Sequence, residues 1–479
     1  MLKKGGLTAL LLFGMFFGAG NLTFPPQLGF ESGGYFWPAI AGFVLSGVGI
    51  AILTLIIGTL NPKGYIHEIS QKISPKFALL YLSVLYLSIG PFFAIPRTAA
   101  TAFSIGIEPM LGNSHTSLWL LAFTAVYFAL ALWIAMNPSK ILDSIGRILT
   151  PIFALLIVIL IVVGAFKYGD HSTHTATEAY KASAFGNGFL EGYNTLDALA
   201  SVAFSVVAVV TLNQLGFKSK KEYISTIWIV GILVGLMFSG LYLGLAFLGN
   251  HFPLDTSTLG EGANLGAAVL SSATQAIFGP ISQIFLAVMV TVTCFTTTAG
   301  LIVATGEFFN KAFPQVSYKT YAIVFTLIGF AIANLGLNNI IAFSVPVLLI
   351  LYPITITIVM IVIANKFVAL SKPGMQITVT VVTLIALLSV IGSQFKLAGL
   401  NAIINFLPLS GASLPWLIPA ILCILLSLVL PDKIKSESFE IGIKIKSYHN
   451  CDGIFFSLSH HKCEISQKAL HLKRGDASI

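Results

Sequence analysis

Asp197 lies in the run Glu191-Gly192-Tyr193-Asn194-Thr195-Leu196-Asp197, followed by Ala, Ser, Val and Phe residues that otherwise read as a buried apolar helix. A carboxylate at such depth in a membrane is costly, and it is kept where it meets a substrate ammonium, coordinates a cation or carries a proton. Thr195, Ser201 and Ser205 could supplement it, and Glu191 either joins the same site or sits at the water interface. A second interruption, Phe17-Gly18-Ala19-Gly20-Asn21, offers different chemistry. Gly18 and Gly20 let a ligand approach the main chain, and a half-helix beginning near Leu22 presents free N–H groups and a positive dipole end to a carboxylate. Asn21 adds an oxygen suited to Na⁺. The other reading of these glycines is close packing between two helices.

Two further sets of residues carry polar chemistry into apolar surroundings. Thr291, Thr293, Thr296, Thr297 and Thr298 form a run whose hydroxyls either bond their own helix carbonyls or join backbone carbonyls in an oxygen cage for Na⁺. Arg97 follows Ile89-Gly90-Pro91-Phe92-Phe93-Ala94-Ile95-Pro96, where two prolines are expected to break the hydrogen-bond ladder. Its guanidinium would bond freed carbonyls, gate the site, or form a structural ion pair with Asp197 or Glu191.

The elements that position these residues follow from composition. With 56% hydrophobic and 9% charged residues over 479 positions, and a mean hydropathy of +0.91, the chain has more apolar surface than a soluble fold buries. Long unbroken apolar runs exclude a β-barrel. We read an all-α polytopic membrane protein with about twelve spans, near 7–30, 36–60, 78–107, 118–136, 148–166, 188–212, 223–248, 279–310, 320–336, 340–364, 375–393 and 413–430. The N-terminal Met1-Leu2-Lys3-Lys4 lacks a following cleavage site and reads as retained.

Placing both termini in the cytoplasm assigns fourteen loop cations to that side (Lys3, Lys4, Lys63, Lys72, Lys76, Lys140, Arg147, Lys218, Lys220, Lys221, Lys311, Lys319, Lys366, Lys372) and leaves Lys167, Lys181 and Lys396 outside. The net charge of +8 therefore reflects topology and calls for no nucleic-acid partner. Five spans per repeat force opposite orientations, so residues 1–166 and 167–372 would form a 5+5 inverted repeat with broken helices 1 and 6, with 373–430 adding spans 11 and 12. Residues 431–479 turn polar and read as a cytoplasmic tail, whose His449, Cys451, His460, His461 and Cys463 are spaced too widely for a compact metal knuckle. No transition-metal site is expected.

Phe16-Phe17-Gly18-Ala19-Gly20-Asn21-Leu22-Thr23-Phe24-Pro25-Pro26, the Ile89 to Thr98 run and Glu191 to Ala200 together resemble the bacterial branched-chain amino acid:cation symporters, from Met1 to about Leu430. That family shares the leucine-transporter-type fold of the amino acid/polyamine/organocation superfamily. The resemblance implies symport of leucine, isoleucine and valine with sodium or protons by alternating access across a bacterial cytoplasmic membrane. It implies that Gly18, Ala19 and Gly20 hold the substrate carboxylate and that Gly14, Phe17, Asn21, Thr293, Thr296 and Thr297 form a cation side; Thr195, Asp197, Ala198 and Ser201 of the second break complete the expected substrate side. Arg97 and Glu191 would be a gate or a structural ion pair. Asp197 departs from the sodium-coupled leucine transporter pattern, which leaves the ion open between Na⁺ and H⁺.

The expected partners are an aliphatic amino acid and the lipid bilayer, with no cofactor beyond the co-transported ion. A channel would need a continuous polar path, and an enzyme a nucleophile with its base, whereas His67, His115, His171 and His174 all fall in loops. A same-fold transporter for another small amine or a nucleobase is the remaining alternative.

Overall fold

A computed structural model describes residues 2–60, 64–111, 116–136, 140–214, 219–259 and 263–434. The tail cysteines and histidines, with Lys63 and Lys218 from the loops, lie outside the described residues. The chain begins with α1 (Leu2–Phe16), breaks at Phe17-Gly18 and resumes as α2 (Ala19–Ser32). Next come α3 (Phe36–Val44) and α4 (Ala51–Leu60), continuous through a π-helical turn at Leu45–Ile50, then the short α5 (Gly64–Lys72). The third apolar stretch comprises α6 (Pro75–Leu87), α7 (Ala94–Ala102) and α8 (Glu108–Leu111), with π-helical turns between them. It is followed by α9 (Thr116–Met136) and α10 (Lys140–Tyr168).

The sixth stretch divides into α11 (Glu178–Tyr193) and α12 (Asp197–Gln214). After it run α13 (Lys220–His251), α14 (Leu265–Phe278), α15 (Ile281–Ala312), α16 (Tyr318–Ala333) and α17 (Leu337–Phe367). The remaining helices are α18 (Lys372–Gln394), α19 (Ala398–Phe406) and α20 (Leu417–Leu426). Among the described residues, seven helical stretches are long and apolar enough to cross a bilayer, and four apolar helices are shorter.

Only one of the two prolines expected to interrupt the third stretch does so. The break falls at Gly90, with φ −91° and ψ −123°, just ahead of Pro91. Pro96 is accommodated in the first turn of α7, where an N–H has no intrahelical partner to lose.

The helices pack in reciprocal pairs. α2 lies on α13 as α12 lies on α4, α1 lies on α13 as α11 lies on α3, and α10 meets α13 and α15 as α17 meets α4 and α7. α7 packs on α15 and α9 on α16, each span against its own counterpart in the other half. This is the contact pattern of an inverted repeat. The α2–α13 and α11–α3 seams both depend on glycine. A Cβ at Gly29 would lie 1.8 Å from the Ala246 carbonyl oxygen, and one at Gly188 would lie 1.9 Å from that of Ala39, so the backbones touch directly.

Candidate substrate and cation site

Gly18 sets the first break, extended at φ −142° and ψ −163° between two helices. Its amide donates to Asn21 Oδ1 at 2.8 Å. Asn21, three residues past Gly18, thus supplies the half of a capping box that a glycine N-cap permits, and the other first-turn amides of α2 have no intrahelical acceptor.

The second break is a turn at Asn194-Thr195-Leu196. Asn194 N bonds the Glu191 carbonyl at 3.0 Å and Thr195 N that of Gly192 at 3.3 Å, while Leu196 takes the left-handed conformation at φ +65° without being glycine. A non-glycine residue held there stores strain of about 1 kcal/mol or more, a cost met by surrounding structure at sites that matter. The turn leaves the Asn194 and Thr195 carbonyls to Arg97, whose Nη1 donates to Asn194 O at 2.6 Å and Nη2 to Thr195 O at 3.5 Å.

One carboxylate ties the two breaks together. Asp197 opens α12, and its Oδ2 accepts from Asn21 Nδ2 at 3.0 Å and from Tyr242 Oη at 2.6 Å. Tyr242, on α13, also accepts from the Asn21 amide. Asp197 is 6% exposed, and no cationic side chain forms an ion pair with it among the described residues.

Between the breaks lies a cavity of about 40 Å³. Gly18, Gly20, Asn21, Arg97, Thr195 and Asp197 make its polar side, and Met15, Phe16, Ile89, Ala200, Phe204 and Leu301 its apolar side. Phe16 and Phe204 meet edge to face with ring centroids 5.1 Å apart. From α15, Thr297 reaches the first break, its Oγ1 3.6 Å from where a Gly18 Cβ would sit. Thr296 and Thr297 donate to the Thr293 carbonyl at 2.9 and 3.3 Å, and the Thr293 hydroxyl is buried without a partner.

Several expected residues stand elsewhere. Ala198 and Ser201 do not line the cavity; Ser201 Oγ donates to the Asp197 carbonyl at 2.8 Å. Because α12 starts at Asp197, helical phase turns Ala200 and Phe204 inward instead. Phe17 packs against the rings of Phe13 and Phe153 at 5.2 and 5.5 Å, and Gly14, Thr293 and Thr296 also lie off the cavity. The Asn21 oxygen is engaged by the Gly18 amide, so its side chain links the breaks besides any contact with an ion. Glu191 lines a separate cavity of about 220 Å³ with Glu31 and Tyr180, and accepts from Asn194 Nδ2 at 3.0 Å. Neither Arg97 nor Glu191 forms an ion pair among the described residues; Arg97 uses main-chain carbonyls because the second break frees two of them beside it.

Tyr242 was not legible in the sequence as a site residue. A buried phenol in a membrane needs an acceptor, but nothing in the spacing singles out this tyrosine from thirteen others.

Residues 2–434 match the family model described as branched-chain amino acid transport protein. The chain belongs to this family. A protein of Staphylococcus saprophyticus, provisionally described as a branched-chain amino acid carrier protein, is 40% identical over 445 residues, covering 91% of this chain and 98% of that one. A Staphylococcus aureus protein with the same description is 40% identical over 447 residues, with the same coverage.

Among solved structures, MhsT in complex with L-phenylalanine matches with a TM-score of 0.53 at 16% identity, covering 80% of this chain and 96% of that one. Mhp1, a nucleobase-cation-symport-1 family transporter in a closed conformation, matches with a TM-score of 0.50 at 14% identity, covering 88% and 91%. Both likenesses concern the fold alone. Family and fold make this chain a multi-pass membrane carrier with the leucine-transporter-type architecture, and a secondary transporter rather than an enzyme.

Proposed function

We propose that the protein imports leucine, isoleucine and valine across the bacterial cytoplasmic membrane by symport with Na⁺ or H⁺, both termini facing the cytoplasm. The observation that carries this reading is the junction of the two breaks through Asn21, Asp197 and Tyr242 beside an apolar wall of Phe16, Ile89, Ala200, Phe204 and Leu301. The first-turn amides of α2 supply donors for a carboxylate, the end of α11 supplies acceptors for an ammonium, and the wall supplies a surface for a branched aliphatic side chain. A single methylene is worth about 1–3 kcal/mol in such a pocket, so the three amino acids should compete with one another.

A cation beside Thr297 and the first break, or a proton on Asp197, would stabilise the two unwound segments together. Substrate then binds across both, and two groups of helices move relative to each other to change the open side. Purified protein in liposomes, given an inward sodium gradient or an inward pH gradient separately, should accumulate leucine under one of them. Accumulation under neither would refute symport.

A further inference from the structure

Arg97 occupies the place where the second break is best suited to hold a cation. The Asn194 and Thr195 carbonyls stand at the C-terminal end of α11, where a helix attracts positive charge, and both are taken by the guanidinium. Arg97 is 3% exposed, forms no ion pair among the described residues, and its Nε has no partner. A guanidinium carries five donors and is served best by a carboxylate taken in two parallel bonds, so this charge is buried with much of its bonding capacity unspent. Around it lie the face of Phe24, 5.3 Å from Cζ to the ring centroid, Gly20, where a Cβ would lie 3.1 Å from Nη2, and, lining the same cavity without forming an ion pair with it, Asp197. The guanidinium therefore bridges the two breaks and fills space that an amino acid must use. The remaining cavity, about 40 Å³, holds water-sized groups and is too small for leucine.

We infer that Arg97 is a tethered stand-in for the substrate ammonium, which releases the Asn194 and Thr195 carbonyls only to a ligand whose own carboxylate gives the guanidinium a better partner. The inference rests on the proposed amino-acid site and adds the rule by which that site selects. An amine alone displaces Arg97 only at a cost, because the buried guanidinium would lose both carbonyl acceptors while the Asp197 carboxylate stays held by Asn21 and Tyr242. A carboxylate alone can draw Arg97 away but leaves the two carbonyls unpaired. Only a molecule carrying both charges about one carbon apart satisfies Arg97, the carbonyls and the α2 amides together. Arg97 is then a specificity-determining residue that enforces the α-amino acid, while the apolar wall reads the side chain.

The test compares leucine with its two halves, 3-methylbutylamine and 4-methylpentanoate, by ligand-induced thermal shift of the full-length protein in detergent. The readout is binding, so it survives loss of transport. The wild type should bind leucine and need at least a hundredfold more of either half-ligand for the same shift. Arg97→Gln should lose leucine affinity by tenfold or more while gaining at least tenfold for 3-methylbutylamine, a gain that a merely structural arginine would not produce. Arg97→Lys, which keeps the charge, should still reject the amine. The inference is overturned if Arg97→Gln folds and gains no amine binding. Should Arg97→Gln not fold, the wild type decides: amine binding within tenfold of leucine overturns the inference, and continued rejection by both wild type and Arg97→Lys supports it. Wild-type protein that binds no leucine would instead refute the amino-acid site itself.

Discussion

Replacing Asp197 with Ala removes the acceptor that joins the two breaks and leaves Asn21 Nδ2 and Tyr242 Oη, at 3.0 and 2.6 Å, without it. Hydrogen bonds to a charged acceptor contribute about 1.5–3 kcal/mol each, so the pair contributes about 3–6 kcal/mol to holding the breaks in register. At about 1.4 kcal/mol per tenfold, leucine affinity should fall a hundredfold or more. Even at about 0.6 kcal/mol per bond, the average for intramembrane hydrogen bonds, the loss is close to tenfold. Tyr242→Phe keeps the ring and removes one of the two donors, so its effect should fall about midway in free energy between wild type and Asp197→Ala. The assay is leucine binding and uptake by purified variants in liposomes, with monodisperse elution as the control for folding. A well-folded Asp197→Ala that binds leucine within threefold of wild type would show that the tie does not support the substrate site.

Three other outcomes follow from the same geometry. Gly20→Ala places a methyl group 3.1–3.3 Å from Arg97, Thr195 and Asn194, whereas Gly18→Ala meets nothing closer than 3.6 Å, so leucine affinity should drop about tenfold in the first and much less in the second; equal affinities would deny that Gly20 faces the second break. Gly29→Ala forces α2 from α13, and overpacking of this kind costs about 1–3 kcal/mol, visible as a lower melting temperature in detergent; an unchanged melting curve would contradict the backbone contact. Thr297→Ala should raise the sodium concentration for half-maximal uptake severalfold while leaving leucine affinity at saturating sodium unaltered, and an unchanged sodium response would remove Thr297 from the cation set.

Both breaks were legible because polar and small residues interrupt apolar runs in a solvent that tolerates no unpaired backbone. Their exact form was less so. The first was placed from glycines and is indeed made by Gly18. The second was placed from a run of polar residues and turns at Leu196, whose left-handed backbone no leucine announces. Which face of α12 meets the cavity depends on where that helix begins, and the start at Asp197 turns Ala200 and Phe204 rather than Ala198 and Ser201 toward it. Tyr242 was hidden for a different reason: its role arises from a contact between α13 and two helices distant in sequence. The helix α14, between Asn264 and Gly279, carries too short an apolar run to stand out from a loop in the sequence.

The glycine seams have a mechanical consequence. Gly29 and Gly249 lock α2 to α13, and Gly42 and Gly188 lock α3 to α11, each with a main-chain oxygen about 2 Å from where a side chain would begin. Backbones keyed together at two points cannot slide past one another without first separating. Each pair should consequently travel as a rigid piece, while α1 and α12, the free ends beyond the breaks, are not keyed in this way and are left able to flex.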